Sequence, residues 1–255
     1  MPCVLPAQRI YTAYSHVRAE FEARRSAAAA TSAFSSSHFT NVSQLATAEE
    51  LEFLLHEVQE ESIVQICLPK LIFSTEHNGS SLRTLYRLCR LHAEKTHRPH
   101  TILLVATASR KGLFGAFTTS LWSPDETRGF YGCGLSFLFR LRPTPAVIYK
   151  WQKDSGSEFF QRATLNELEV GGGIDTGPSG LRLDSALQAG QSGPTFTFGS
   201  QCLVTAPEDK VDVGCSTPEN DTTEEEGRSK NREYCSFKVA AVELIGFVDS
   251  SSAVV

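Results

Sequence analysis

The sequence has few of the features that mark membrane, secreted or nucleic-acid-binding proteins. No apolar run approaches the about 20 residues that a bilayer-spanning helix requires. The 24 Lys and Arg residues are outnumbered by 29 Asp and Glu residues, so the chain lacks the basic excess of nucleic-acid binders. The seven cysteines form no CxxC pair and show no zinc-ligand spacing, which indicates reduced thiols. We therefore expect a soluble, cytoplasmic protein that is not transmembrane and binds no nucleic acid, metal or cofactor.

The composition is that of one globular domain with polar additions. A chain of 255 residues with 41% hydrophobic residues can bury one good core. The net charge of −5 comes from one segment, since residues 206–233 carry nine acidic and four basic side chains and the remainder is balanced. This segment has almost no large apolar groups to offset its ordering entropy. We predict an acidic, disordered insertion at 206–233, either a solvated loop with no task or a docking or phosphorylation loop.

The N-terminal segment allows two interpretations. Arginines and the run SAAAATSAFSSS over residues 1–37 resemble an organelle transit peptide, which would direct the protein to mitochondria. Glu20 and Glu22 oppose that interpretation, and Ile10, Tyr14 and Val17 fall at helical spacing. We favour a disordered or partly helical tail that binds a partner.

Two helices are predicted before residue 97. Thr47 and Glu50 form a capping box ahead of the apolar positions Leu51, Leu54, Leu55 and Val58. After Ser80 or Ser81, which can cap a second helix, one apolar stripe is formed by Leu82, Leu85, Tyr86 and Cys89.

After residue 100 the sequence pattern predicts short strands. Apolar or alternating runs with glycine-rich turns between them predict strands at 101–108, 113–122, 136–142, 146–151, 168–170, 180–184, 195–198 and 235–247. A parallel α/β sheet would need helices of about 10 to 15 residues between strands, and none is visible after residue 91. The fold class is therefore mainly β with flanking helices (α+β), as an antiparallel β-sandwich.

The glycines of GFYGCGLSFLFRLRP, residues 129–143, do not match a known catalytic or phosphate-binding loop. Gly132 and Gly134 lack the third glycine and the following helix of a dinucleotide fingerprint, and the stretch lacks the G-x-S-x-G of a nucleophile elbow. We interpret them as a tight turn at a sheet corner. Gly171, Gly172 and Gly173 similarly lack a P-loop pattern and predict a connector between strands.

No catalytic constellation emerges from the remaining residues, so we do not expect an enzyme. Cys133 could be an accessible thiol in its turn, which leaves a thiol-based redox enzyme or sensor as the alternative function. No second cysteine is locally placed to resolve a sulfenic acid at Cys133. His77 lies near serines and Glu76, but local clustering does not define a triad.

Six ordered blocks of the sequence together resemble one family. They are LPKLIFSTEHNGSSLRTLYRLC (68–89), TILLVATASRKGLFGAFTTSLWS (101–123), GFYGCGLSFLFRLRP (129–143), VIYKWQ with EFFQR (147–162), LEVGGGIDTGPSGLRLDSALQAGQSGPTFTFGSQCL (168–203) and VAAVELIGF (239–247). Together these blocks resemble the TLDc domain, and the resemblance covers about residues 45 to 248. We assign 1–43 to the tail, 44–248 to the domain and 249–255 to a C-terminal tail.

The resemblance implies an antiparallel β-sandwich flanked by helices and a role in resistance to oxidative stress. Several TLDc proteins bind the peripheral, ATP-hydrolysing sector of the vacuolar proton-pumping ATPase and regulate its assembly. The resemblance thus implies a non-enzymatic regulatory protein that can associate peripherally with endolysosomal membranes through the vacuolar ATPase. No enzymatic reaction is established for the family as a whole.

The resemblance also directs attention to particular residues. The family usually has Gly-Thr-Gly-Glu-Ser at the turn, where this chain has Gly132-Cys133-Gly134-Leu135-Ser136, so a leucine replaces the carboxylate. Glu243 matches the family's glutamate, and it is either a functional carboxylate or the hydrogen-bonded end of a core strand. Weak catalytic candidates are Cys133, Ser136 and Glu243. The expected interaction surface consists of Gly132, Cys133, Gly134, Ser136, Gly171, Gly172, Gly173 and Glu243.

Overall fold

The structure is a computed structural model that describes residues 42–60, 67–174, 177–211 and 234–249. The predictions for the N-terminal segment 1–37, for residues 212–233 of the acidic insertion and for the tail from residue 250 lie outside the described residues. Everything described belongs to one compact unit.

Helices and strands are as follows, in chain order. The helices are α1 (Ala48–Glu60), the one-turn α2 (Thr75–Asn78) and α3 (Leu82–Thr96). The strands are β1 (Cys67–Ser74), β2 (Thr101–Thr107), β3 (Leu113–Thr118), β4 (Phe137–Arg142), β5 (Val147–Lys150), β6 (Gln161–Ala163), β7 (Glu167–Val170), β8 (Leu181–Asp184), β9 (Ala189–Ser192), β10 (Lys210–Val211) and β11 (Cys235–Asp249). Two 3₁₀ turns lie at Lys153–Ser155 and Pro207–Asp209.

The strands pair antiparallel throughout and form two sheets that share β11. The order is β5-β4-β3-β2-β11-β9-β8-β7-β6, with β1 and β10 also paired to β11. Residues Cys235–Lys238 pair with β9, whereas Val239–Ile245 pair with β2. Because one long strand passes from one sheet to the other, it forms a corner of a sandwich.

The core lies between the two sheets. Leu103, Phe114 and Leu138 from the first sheet join Leu168 and Leu183 from the second in one buried cluster. The expected fold class is confirmed: the protein is mainly β, antiparallel, with few helices.

Both predicted helices are present, and the capping contacts predicted for the first are confirmed. The Thr47 amide donates to Glu50 Oε2 at 2.8 Å, and the Glu50 amide donates to Thr47 Oγ1 at 3.2 Å, which is the capping box that begins α1. Arg142 Nε donates to Glu50 Oε1 at 2.8 Å and so ties this helix to β4. The stripe of α3 is buried at the predicted positions, and Ser81 occupies the N-cap position without a side-chain cap hydrogen bond.

Two strand predictions need correction, and strands β1, β6, β9 and β10 were not predicted. Residues 195–198 alternate like a strand but form a turn, in which the Thr195 amide donates to the Ser200 carbonyl at 3.1 Å. The strand next to it is β9, whose small and polar residues carry no strand propensity and pair because β8 and β11 flank them. The predicted strand 113–122 ends at Thr118.

The first residues of the predicted insertion form defined secondary structure. Residues Pro207–Val211 are ordered, and Asp209 is buried. Its carboxylate accepts from Thr107 Oγ1 at 2.7 Å and from Ser109 Oγ at 2.9 Å, so this carboxylate holds the loop after β2. The prediction of disorder from residue 206 missed it because composition alone does not reveal a buried acceptor with fixed donors.

Candidate functional site

The glycine turn before β4 has the structural role that the sequence indicates. The Ser136 amide donates to the Cys133 carbonyl at 3.0 Å, and Gly132 has φ +115°, a conformation that favours glycine. A Cβ on Gly134 would lie 2.0 Å from the ring of Trp151. The two glycines are therefore required by the backbone and by the packing of one tryptophan.

An open depression of about 450 Å³ lies beside this turn. Its lining consists of Cys133, Gly134, Leu135, Ser136, Phe137, Lys150, Trp151 and Lys153. Lys150 Nζ lies 3.1 Å from Glu57 Oε2, and Lys153 Nζ lies 5.8 Å from the centroid of Trp151. The depression thus combines a thiol, an aromatic face and two ammonium groups.

Cys133 is exposed, whereas the other described cysteines, Cys67, Cys89, Cys202 and Cys235, are buried. Thr119 Oγ1 lies 3.2 Å from Cys133 Sγ and 3.5 Å from Ser136 Oγ. The three side chains form a small hydroxyl and thiol group without a general base among them. Ser136 lines the depression but is only 1% exposed.

The second glycine cluster is also required by close backbone contacts. Gly171 has φ +70° and donates its amide to the Phe160 carbonyl at 3.0 Å. Gly172 donates to the Phe159 carbonyl at 3.1 Å, and a Cβ on Gly173 would lie 2.0 Å from the Gly177 carbonyl oxygen. The loop therefore packs its main chain directly on the segment that precedes β6.

This same segment joins the two glycine clusters. Tyr131, next to the first turn, forms an isolated bridge with Gln161, while Gly171 bonds the adjacent Phe160. The ring of Phe160 lies 5.5 Å from that of Trp151 and 6.2 Å from that of Phe198. The structure thus brings Gly132–Gly134 and Gly171–Gly173 to one aromatic cluster.

Two phenylalanines close in sequence to this cluster are about half exposed, and one of them, Phe159, has its ring 5.2 Å from that of Phe130. Phe159 is 50% exposed and Phe196 is 54% exposed. They belong to the same part of the molecule, because Thr197 Oγ1 lies 2.7 Å from Ser157 Oγ. We call the group Trp151, Phe159, Phe160, Phe196 and Phe198, with its two glycine loops, the aromatic end.

Glu243 lies away from the aromatic end, in the middle of β11. Two strands, β2 and β3, separate β11 from β4 and its turn. Glu243 is 1% exposed and accepts from Ser43 Oγ at 2.5 Å and from the Gln44 amide at 3.0 Å. It is therefore a hydrogen-bonded carboxylate of the core, with almost none of its surface open to a partner in this structure.

Ser43 precedes the predicted start of the domain at residue 44, yet its side chain is fixed by several hydrogen bonds. Its Oγ also accepts from the amides of Leu45 and Ala46 at 3.1 and 2.9 Å. Residues ahead of the α1 capping box are thus part of the folded domain.

The described ranges hold no group of three or more His, Cys, Asp or Glu residues that could bind a metal ion. Within the same ranges, no helix is both long enough and apolar enough to cross a membrane.

Comparison with known proteins settles the family. The family model of the TLDc domain matches residues 39–247. The chain belongs to the TLDc domain family. Oxidation resistance protein 1 of Bos taurus is 35% identical over 133 residues, and nuclear receptor coactivator 7 of Mus musculus is 32% identical over 134 residues. Each match covers 52% of this chain but only 14% and 13% of those relatives.

The TLDc domain also contains a cysteine pair that the sequence did not indicate. Cys202 and Cys235 are buried with their Sγ atoms 2.7 Å apart. The hydrogen bond from Cys235 is the largest cause that lowers the pKa of Cys202, to about 7, against the opposing effect of burial. The two residues are 33 positions apart with the acidic segment between them, so no local spacing could have revealed the pair.

Proposed function

We propose that this TLDc domain is a non-enzymatic regulatory protein that protects against oxidative stress. Its partner would be the peripheral, ATP-hydrolysing sector of the vacuolar proton-pumping ATPase. The observation that carries the proposal is membership of the TLDc family, with relatives named for oxidation resistance. In this proposal the protein is cytoplasmic and reaches endolysosomal membranes through the pump.

The aromatic end is the surface that we assign to the partner. Large exposed aromatic rings beside well-packed ones are typical of binding hot spots. Phe159 and Phe196 provide such rings, and Lys153 adds a positive charge near Trp151. The glycine loops bring main chain close to the aromatic rings, so the surface is held rigidly and loses little entropy on binding.

Binding to the purified pump sector tests the proposal. The full chain would be mixed with the isolated peripheral sector and with the assembled pump, followed by size-exclusion chromatography and an ATP-hydrolysis assay. We expect co-elution with the sector and a change in hydrolysis or in release of the sector from the membrane. Separate elution together with unchanged hydrolysis would contradict the proposal.

The second candidate function is a thiol-based redox enzyme or sensor, and the exposure of Cys133 favours it. A hydroperoxide would oxidise this thiol to a sulfenic acid and release water or an alcohol. Cys89 is the internal reference, because burial raises its pKa to about 11 and suppresses the thiolate. Unchanged peroxide consumption by the Cys133→Ser variant would remove the basis for this candidate.

A further inference from the structure

Cys202 and Cys235 meet where the second sheet is joined to the strand that both sheets share. Cys235 is the first residue of β11 and lies opposite Ser192 of β9. Cys202 lies in the segment that leads from the 195–200 turn towards β10. The contact therefore joins the two chain segments that flank the acidic insertion.

The backbone around both thiols is fixed by hydrogen bonds that centre on Ser192. Its Oγ donates to the Gly180 carbonyl at 2.6 Å and accepts from the Leu203 amide at 2.9 Å. Cys202 Sγ also donates to the Val204 carbonyl at 3.3 Å. The backbone segments that carry the two sulfur atoms are thus fixed close to each other.

The sulfur atoms need little movement to bond. They are 2.7 Å apart, and a disulfide brings its sulfur atoms to about 2.05 Å. Both side chains are buried, at 8% and 7% exposure, so a small oxidant reaches them more readily than a bulky thiol compound. We propose that Cys202 and Cys235 are a redox modification site, at which a hydroperoxide converts the thiol pair into a reversible disulfide.

The chemistry balances with the hydroperoxide as the only oxidant. The Cys202 thiolate attacks one peroxide oxygen, so an S–O bond forms, the O–O bond breaks and the leaving oxygen departs as an alcohol or water. Cys235 Sγ then attacks Cys202 Sγ, the S–O bond breaks, and the hydroxide leaves as water with the Cys235 proton. The pair loses two electrons and two protons, and the hydroperoxide takes up both.

Formation of Cys202 thiolate is supported by its surroundings. The hydrogen bond from Cys235 is the main cause of its lowered pKa. Burial opposes this effect, while a backbone hydrogen bond at Val204, the Ser192 side chain and the charge of Lys210 lower the pKa further. A thiol with a pKa near neutrality attacks peroxides faster than one buried in apolar surroundings.

The bond would close a ring over the 32 residues between the two cysteines. This ring contains the acidic insertion and β10, so oxidation would limit the freedom of both in the unfolded chain. The inference goes beyond the proposed function and does not depend on binding to the pump.

The test uses the full chain with hydrogen peroxide as the probe. After reaction with a slight excess of peroxide, remaining thiols would be alkylated under denaturing acid quench, and linked peptides mapped by mass spectrometry. We expect a Cys202–Cys235 peptide that dithiothreitol removes, and a rise in melting temperature of roughly 5–10 °C. The linked peptide should disappear in Cys202→Ser and persist in the matched control Cys215→Ser.

Three outcomes would overturn the proposal. In the first, both thiols can still be alkylated after peroxide treatment. In the second, Cys202 is linked to Cys3 or Cys215. In the third, Cys202 is oxidised to the sulfinic acid and forms no link. The link itself is mapped on the unmodified sequence, so a folding defect in Cys202→Ser would not remove that result.

Discussion

The middle of β11 and the aromatic end both carry residues that match the TLDc pattern, yet they are built in opposite ways. At Glu243 a buried charge is enclosed by donors from Ser43 and Gln44. At the aromatic end two phenylalanine rings and a thiol face solvent.

The difference indicates a division of roles within the domain. A buried carboxylate with hydrogen-bond partners stabilises the fold, since losing a donor would leave a charge without compensation. Exposed aromatic rings contribute little to folding and are available to a partner. The glycines of the two loops serve both the fold and the surface, because they permit the packing that places the aromatic rings at the surface.

The largest effect is expected from a methyl group at the first glycine turn. Gly134→Ala would push a Cβ into Trp151, whose Nε1 is fixed to the Ser157 carbonyl at 2.9 Å. We expect a loss of roughly 2–3 kcal/mol in the free energy of unfolding, measured by urea denaturation. Gly129→Ala is the matched control, because a Cβ there meets nothing within 4 Å, and its effect should stay within about 0.5 kcal/mol. Equal effects of the two variants would contradict the assigned packing.

A double-mutant cycle at Glu243 should give the next largest effect. Glu243→Gln keeps the size of the side chain but cannot accept both hydrogen bonds as a carboxylate does, at a cost of about 1–2 kcal/mol. Combined with Ser43→Ala, the cycle should show a coupling energy of about 1 kcal/mol in urea denaturation. Additive losses would mean that the Ser43 hydrogen bond to Glu243 does not hold the N-terminal segment to β11.

Acid should weaken the fold near the other end of β11. Burial of His92, whose Nε2 lies 3.1 Å from the Phe247 carbonyl oxygen, lowers its pKa below the ordinary value of 6.5. The unfolded chain therefore takes up a proton at a pH where the folded protein does not, so the stability contribution is full above 6.5 and is lost as pH falls through the folded pKa. We expect melting temperature to fall less between pH 7.5 and pH 5.5 in His92→Gln than in the wild type. An identical fall in both proteins would exclude His92 as the cause.

The family, the fold class and the two longer helices could be predicted from the sequence, because each leaves a local or ordered signal. The capping box at Thr47 and the stripe from Leu82 to Cys89 are complete within one element. The glycine turn at 132–134 was likewise interpretable, since glycine itself reports unusual backbone geometry.

Contacts between distant segments could not be predicted. Ser43 and Glu243 are 200 positions apart, and Asp209 is 102 positions from Thr107. Strand β9 has no propensity of its own and exists because its neighbours pair with it. Such features depend on the assembled fold, which a single sequence does not specify residue by residue.

The measurement that tests the central claim most directly is binding of three proteins to the peripheral sector of the vacuolar ATPase. These are the wild type, the double variant Phe159→Ser/Phe196→Ser, and Leu91→Ser, whose side chain is 41% exposed on α3. We predict that the double variant binds at least about tenfold more weakly, while Leu91→Ser binds like the wild type and all three keep the same melting temperature. Wild-type affinity in the double variant, or no binding by any of the three, would contradict the account.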